Sequence, residues 1–319
     1  MIFNKATVYG GGLIGSGWAV NFLIKGVSVI IYDLDDEKLA EAKDHVEKLL
    51  NFFAEAGIDV LTADQKAECI ARVSYTADVK TAVTDAEFIQ ENGPENVTIK
   101  RSIINAIEQY NSTAIIASST SGLLISDIAA EAEYPQRIVG GHPYNPVHLI
   151  PLVELAKGDK TSQETLDKAC QFYKEIGKEP VVLQKECRGF ICNRIQNALL
   201  REAEDLVYRG ICTVEEVDKA VTFGPGLRWG LMGPHLVLEL GGGEGGFRDG
   251  NARFGAAAEK WYEDMATWIK LPEGYVDTAC EGIQVEMSNR TPREGQDQAG
   301  LERFRNQGLV QLLKFHGKL

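Results

Sequence analysis

The chain has 319 residues and a formal net charge of −13. That charge argues against nucleic acid and anionic membrane surfaces, both of which need a basic face. An apolar fraction of 44% supports a substantial core, and the length predicts one large or two medium domains. No apolar run reaches transmembrane length and the N-terminus lacks a signal-peptide pattern, so a soluble, cytoplasmic protein is expected. The six cysteines form no C-x-x-C pair and read as reduced side chains. The five histidines make no ligand-spaced cluster, so no metal site is expected.

Residues 5–9 read as a strand, followed by Gly10-Gly11-Gly12-Leu13-Ile14-Gly15 and a helix over 13–25 that Gly26 ends. The next strand, 27–32, runs into Asp33. A G-x-G-x-x-G loop between strand and helix, with an acid at the end of the second strand, is the physical recipe for holding NAD. In that recipe Gly10 allows the tight turn, Gly12 lets the backbone approach the pyrophosphate, and Gly15 lets helix and strand pack. The amides of Leu13 and Ile14 open the helix toward the phosphates. Asp33 would accept hydrogen bonds from the adenosine ribose hydroxyls. It would also repel a 2′-phosphate, and Leu34 beside it brings no compensating arginine, which favours NAD over NADP.

Residues 35–56 form an amphipathic helix with Leu39, Ala42, Val46, Leu49, Leu50 and Phe53 on one face, stopped by Gly57. Thr62 and Gln65 make a capping box before a helix over 63–72. Strands follow at 88–90, 113–117, 138–140, 152–155 and 180–184, alternating with helices at 96–109, 126–133 and 162–176. Such alternation predicts an α/β, mainly parallel, Rossmann-type sheet with helices on both faces. Beyond about residue 185 the strand signals stop. Helices are predicted at 189–209, 214–222 (opened by a Thr213–Glu216 capping box), 234–240, 255–269, 275–288 and 298–314. The expected domains are therefore 1–185, binding NAD, and 186–319, an all-helical C-terminal domain. The run Gly241-Gly242-Gly243-Glu244-Gly245-Gly246 reads as a loop between helices, with a hinge or a close-approach loop as alternatives.

Chemistry-bearing residues gather where parallel strands end. His142, in Gly140-Gly141-His142-Pro143-Tyr144-Asn145-Pro146, suits acid–base work near neutral pH. Glu154 lies twelve residues on, at the end of an apolar strand, and needs a partner; a His–Glu pair would fix the imidazole tautomer. Ser118-Ser119-Thr120-Ser121-Gly122 supplies hydroxyls after strand 113–117, or else caps a helix. Asn193, in Gly189-Phe190-Ile191-Cys192-Asn193-Arg194, can donate to a substrate oxygen or serve only as a cap.

Together with Glu91-Asn92-Gly93-Pro94-Glu95 and Gly233-Pro234, these motifs resemble, in order, those of the 3-hydroxyacyl-CoA dehydrogenase superfamily over residues 3–240. The resemblance implies a Rossmann domain followed by a helical domain that dimerises. It implies His142 as catalytic base, Glu154 as its orienting partner, and Ser121 and Asn193 as ligands of the reacting oxygen. Glu91 and Lys100 match positions near the cofactor. Departures from the acyl-CoA pattern at Pro143-Tyr144 and Gly224–Pro234 are similar to the branch of gulonate- and carnitine-type dehydrogenases, which act on free 3-hydroxy acids. Arg228 would then grip a substrate carboxylate, and Trp229 could face a trimethylammonium. Two alternatives stand beside this: an enzyme of CoA thioesters, disfavoured by the acidic helix 35–56, and a non-catalytic NAD-binding, crystallin-like protein, disfavoured by the intact Ser121, His142, Glu154 and Asn193 set.

Overall fold

The computed structural model describes residues 1–55, 58 and 60–319. The chain packs as two compact units, residues 1–194 with 313–319, and residues 195–312.

The first unit begins β1 (Lys5–Tyr9), α1 (Leu13–Ile24), β2 (Ser28–Tyr32), α2 (Asp36–Phe53), α3 (Ala63–Ala71), β3 (Val73–Thr76), α4 (Val79–Val83) and β4 (Phe88–Glu91). It continues with α5 (Val97–Glu108), β5 (Ile115–Ser118), α6 (Ile125–Ile128), β6 (Ile138–Pro143), β7 (Leu152–Lys157), α7 (Gln163–Glu175) and β8 (Glu179–Val182). Among the described residues the strands form one sheet in the order β3-β2-β1-β4-β5-β6-β7-β8. Every neighbouring pair is parallel except β6 and β7. The order reverses between β1 and β4, and such a switch point opens a ligand crevice at the carboxyl ends of the strands.

Burial explains the local choices. β4, β5 and β6 are buried at every residue, as expected for central strands covered on both faces. α1 is buried nearly all round, through Trp18, Ala19, Val20, Phe22 and Leu23. α2 buries only the stripe Leu39, Ala42, Val46, Leu50 and Phe53 and is capped by the Asp35 carboxylate, which accepts from the Lys38 amide at 2.9 Å. Phe22, Phe88, Phe172 and Tyr173 pack ring against ring beneath the sheet, with Phe88 and Phe172 centroids 4.6 Å apart.

Several predicted elements change. β3 and α4 carry no clear sequence signal, because β3 is an edge strand with no residue fully buried. The helix expected over 126–133 is the four-residue α6. The predicted stop of α2 at 56–57 lies outside the described residues, and the helix itself ends at Phe53.

α8 (Cys192–Tyr208) leads into the second unit, which holds α9 (Val214–Phe223), α10 (Pro225–Trp229), α11 (Pro234–Gly241), α12 (Gly246–Asp264), α13 (Tyr275–Asn289) and most of α14 (Gln298–Phe315). The Thr62–Gln65 and Thr213–Glu216 capping boxes both form. The helix expected at 255–269 starts nine residues earlier, at Gly246. The glycine run is the expected connection between helices, joining α11 to α12 in a tight turn whose backbone packs closely on itself. A Cβ on Gly242 would fall 1.6 Å from the Gly246 carbonyl oxygen, and Gly246 has φ +59°. The Glu239 carboxylate accepts from the Phe247 amide at 2.7 Å and locks the turn.

Lys178, just past α7, is buried in the first unit. Its Nζ donates to the carbonyls of Val147 (2.6 Å) and Ile150 (3.0 Å) and lies 5.2 Å from the centre of the Trp18 ring. Burial pulls this ammonium down to about 7, and a neutral amine still has one N–H for each carbonyl. The unfolded lysine holds its proton to about pH 10.4. Between pH 7 and 10 the unfolded chain therefore binds more protons, and this residue makes stability rise with pH, by about 1.4 kcal/mol per unit at most. Lys178→Met is expected to flatten the rise. Urea unfolding of both proteins at pH 6, 7.5 and 9 measures it; parallel stability–pH curves would contradict the expectation.

Candidate active site

The glycine loop leaves β1 through Gly10, which has φ +95° and donates to the Tyr32 carbonyl at 2.8 Å. A Cβ on Gly15 would lie 1.9 Å from the Gly10 carbonyl oxygen, so α1 can sit this close to β1 only with glycine there. A Cβ on Gly12 would meet nothing within 4 Å, and Gly12 caps α1 without any side-chain hydrogen bond. The first-turn amides, those of Leu13 and Ile14 among them, are thus left to an outside acceptor. Asp33 accepts from the Gly11 amide through Oδ2 and from the Leu34 amide through Oδ1, each at 2.8 Å. An ionised carboxylate has about four acceptor positions, so it keeps capacity for ribose hydroxyls. An uncapped helix start, open space before Gly12 and a fixed acid at the neighbouring strand end fit an adenine dinucleotide. Gly11 has a function that the motif reading passes over: a Cβ there would be 2.7 Å from the Ala42 Cβ and 2.9 Å from the Ile31 Cγ2.

Glu91 and Lys100 are both about 1% exposed and pair with each other, Lys100 Nζ lying 2.9 and 3.0 Å from the two carboxylate oxygens. Lys100 also donates to the Gly93 carbonyl at 3.0 Å, and Glu91 accepts from the Gly93 amide and the Ser118 hydroxyl. The pair shapes the 91–95 turn from within.

His142 and Glu154 face each other in the antiparallel register of β6 and β7. Directly opposed residues of such a ladder put their side chains on the same face. His142 Nδ1 lies 2.8 Å from Glu154 Oε2, and both groups are buried. Glu154 Oε1 accepts from the Ile191 amide at 2.8 Å and the Cys192 amide at 3.0 Å. Burial alone would raise this carboxyl; the hydrogen bond from His142 and those from Cys192 and Ile191 outweigh it and hold Glu154 below the ordinary carboxylate range. An ionised carboxylate only accepts, so the neutral imidazole takes the tautomer with its proton on Nδ1 and its lone pair on Nε2. Burial and the charge of Glu154 push the Cys192 thiol up to about 11, which keeps it protonated beside the pair. Two rings brace the imidazole: Phe190, 5.6 Å away and tilted, and Tyr144, 6.5 Å away and edge-on.

The Ser121 and Asn193 segments meet here too. A Cβ on Gly122 would sit 2.6 Å from the Gly189 amide nitrogen, so the two turns touch backbone to backbone. Asn193 Nδ2 donates to the Ser121 carbonyl at 2.8 Å. Glu95 Oε1 gathers the Thr120 hydroxyl and the Ser121 and Gly122 amides at 2.8, 2.9 and 3.1 Å, a cap that the sequence reading does not identify. Phe190 is likewise unforeseen. It is buried with φ +47° next to Gly189 at φ +74°, and this left-handed step explains why α8 begins at Cys192 rather than at 189. A non-glycine residue held there costs on the order of 1 kcal/mol, and it presses a ring against the histidine. The first unit therefore brings Ser121, His142, Glu154 and Asn193 into one connected cluster. Arg228 and Trp229 belong to the second unit, exposed on α10.

Residues 5–187 match the family model for the 3-hydroxyacyl-CoA dehydrogenase NAD binding domain, and residues 189–278 match that for the C-terminal domain of the same enzymes. The chain is 36% identical over 312 residues to an L-carnitine dehydrogenase of Bacillus cereus, covering 97% of this chain and 91% of the relative. It is 38% identical over 262 residues to a 3-hydroxyacyl-CoA dehydrogenase of Gibberella moniliformis, covering 81% and 79%. Among solved structures it is similar to an NAD+-dependent dismutase, 5-formyl-3-hydroxy-2-methylpyridine 4-carboxylic acid 5-dehydrogenase, with a TM-score of 0.77, 26% identity and 98% and 97% of the two chains covered. The chain belongs to the 3-hydroxyacyl-CoA dehydrogenase family and is an NAD-dependent oxidoreductase.

Proposed function

We propose that this enzyme oxidises the C3 hydroxyl of a free 3-hydroxy acid of carnitine or gulonate type. The observation that carries the reading is the buried His142–Glu154 pair, whose hydrogen bonds leave Nε2 as the unprotonated nitrogen. His142 takes the hydroxyl proton on Nε2, and Glu154 stabilises the imidazolium that results. Ser121 and Asn193 hold the reacting oxygen, stabilising the charge that develops on it. NAD, when bound, would supply the acceptor for the hydride from C3. Gly10, Gly12, Leu13, Ile14, Gly15 and Asp33 would hold that cofactor, while Glu91 and Lys100, being buried, would serve it through the turn they shape. In the reverse direction the imidazolium returns the proton.

For the far end of the substrate we assign Arg228 to the carboxylate and Trp229 to a trimethylammonium. The likeness to L-carnitine dehydrogenases over nearly the whole chain supports this assignment. In this reading residues 1–185 serve NAD, and residues 186–319 serve the substrate and a homodimer in the cytoplasm. Large apolar side chains exposed in the second unit, such as Leu236, Leu240, Phe254 and Trp261, support a covered face. The competing thioester reading draws on the relative named a 3-hydroxyacyl-CoA dehydrogenase. The exposed face of α2 is mixed to acidic (Asp36, Glu37, Glu41, Asp44 and Glu47 beside Lys38, Lys43 and Lys48), which weakens that reading, since CoA phosphates need a basic rim.

The test is NADH formation with L-carnitine, L-gulonate, 3-hydroxybutyrate and 3-hydroxybutyryl-CoA. Turnover of at least one free acid is expected, with carnitine the first candidate. Turnover of the thioester alone would overturn the assignment.

A further inference from the structure

Behind the strand end that carries His142 lies a polar network that joins Ser119, Asn92 and Gly141 to three residues outside the motifs, Trp18, Gln90 and Tyr173. Gln90 on β4, Trp18 on α1 and Tyr173 on α7 are completely buried, yet each brings a polar group. Gln90 Nε2 donates to the Gly141 carbonyl at 3.2 Å and to the Ser119 hydroxyl at 2.9 Å. The Tyr173 hydroxyl donates to Gln90 Oε1 at 2.6 Å. Trp18 Nε1 donates to Ser119 Oγ at 3.1 Å, and Ser119 donates to Asn92 Oδ1 at 2.7 Å. Asn92 Nδ2 donates to the Gln90 carbonyl at 2.8 Å.

The direction of every bond is forced. A carbonyl only accepts, so Gly141 requires the nitrogen side of the Gln90 amide. That turns Oε1 to Tyr173, whose phenol burial keeps protonated. Indole N–H only donates, so Ser119 receives both Trp18 and Gln90, fills both lone pairs and must give its proton to Asn92. A network with one proton arrangement has one geometry.

Space has been cleared for it. A Cβ on Gly141 would fall 2.3 Å from the Tyr173 oxygen and 3.1 Å from the Ala117 Cβ. Ala117, beside Gln90 in the strand register, is small enough for the amide to reach across β5 to β6. An apolar core would fill this volume without the cost of burying an amide and a phenol.

The network's ends explain that cost. One end is the carbonyl of Gly141, the residue before His142. The other is Asn92, whose backbone carbonyl lies 3.2 Å from where a Gly10 Cβ would be, and Trp18, on the helix that the glycine loop opens. We infer that Gln90, Ser119 and Tyr173 are positioning residues that hold the proton-transfer strand and the cofactor loop in one fixed relation. The inference rests on the function proposed above, and sets which residues keep its two halves aligned.

The experiment uses Tyr173→Phe, Ser119→Ala and the double variant Gln90→Leu/Tyr173→Phe, with wild type on the same substrates. Tyr173→Phe keeps the ring and removes one bond. Misplacement of reacting groups by about 1 Å costs on the order of 10²-fold, so kcat is expected to fall by about 10–100-fold in each single variant. KM and NADH binding should stay near wild type. The double variant removes the stranded amide along with the phenol and should regain the melting temperature lost in Tyr173→Phe. A merely structural network would regain kcat as well; a positioning network would not. The imidazole ¹⁵N signals of His142 give a second readout that needs no turnover, and they should move in all three variants. Unchanged His142 signals with unchanged kcat, or recovery of kcat together with stability, would overturn the inference. Should wild type turn over no free acid, the proposed function fails, and the His142 signals still judge the network.

Discussion

Replacing His142 by alanine is expected to lower kcat by about 10²–10⁴-fold while NADH binds as it does to wild type. The imidazole sits at the end of β6, and the features assigned to the cofactor lie on the β1–α1 turn and the end of β2. The two losses should therefore separate. Glu154→Gln sharpens the result. A glutamine oxygen can still accept from the Ile191 and Cys192 amides, which leaves the side-chain NH2 facing Nδ1. Nδ1 would then have to accept, the ring proton would move to Nε2, and the nitrogen needed as a base would be blocked. A fall in kcat comparable to that of the alanine variant is expected from this tautomer change alone, with little change in volume. Steady-state kinetics and NADH fluorescence titration measure both. Near wild-type kcat in His142→Ala would remove the histidine from the chemistry; near wild-type kcat in Glu154→Gln would remove the tautomer argument.

Two glycines of the same loop should fail in different ways. Gly15→Ala puts a methyl 1.9 Å from a backbone oxygen that has no rotamer to change. α1 must lift from β1, and the melting temperature should drop with a loss of about 1–3 kcal/mol or more, carrying NADH affinity with it. Gly12→Ala meets nothing in the protein and has φ −58°, which alanine adopts readily. It should melt like wild type and still bind NADH on the order of tenfold or more weaker, about 1.4 kcal/mol, because the methyl occupies the approach to the helix start. Thermal melts beside NADH titration decide it. A Gly12→Ala protein with unchanged affinity would place the dinucleotide elsewhere.

What could be read in advance follows from how local each signal is. The glycine loop, Asp33, both capping boxes and the stripe on α2 depend on spacings of a few residues, and each forms. His142 and Glu154 are twelve residues apart, yet the pairing was foreseeable, since a carboxylate on an apolar strand must find a partner. The missed features are contacts between distant segments. Glu95 caps a turn 25 residues away, and Tyr173 reaches Gln90 across 83 residues. Nothing in either stretch marks the other. Phe190 was hidden for another reason: its left-handed backbone is imposed by packing and runs against its own preference. β3 has no clear signature because an edge strand of Val-Ser-Tyr-Thr, half exposed, lacks the apolar run that announces a central strand.

The antiparallel step between β6 and β7 has a consequence for how such an enzyme can change. Ladder register sets the distance between His142 and Glu154, so the eight residues that connect the strands, 144–151, are free of that task. Changes in this segment beyond Tyr144, whose ring faces the imidazole, would leave the His142–Glu154 contact in place. The pairing that orients the imidazole is thus a property of the sheet itself, carried by two opposed backbone positions rather than by the connection between them.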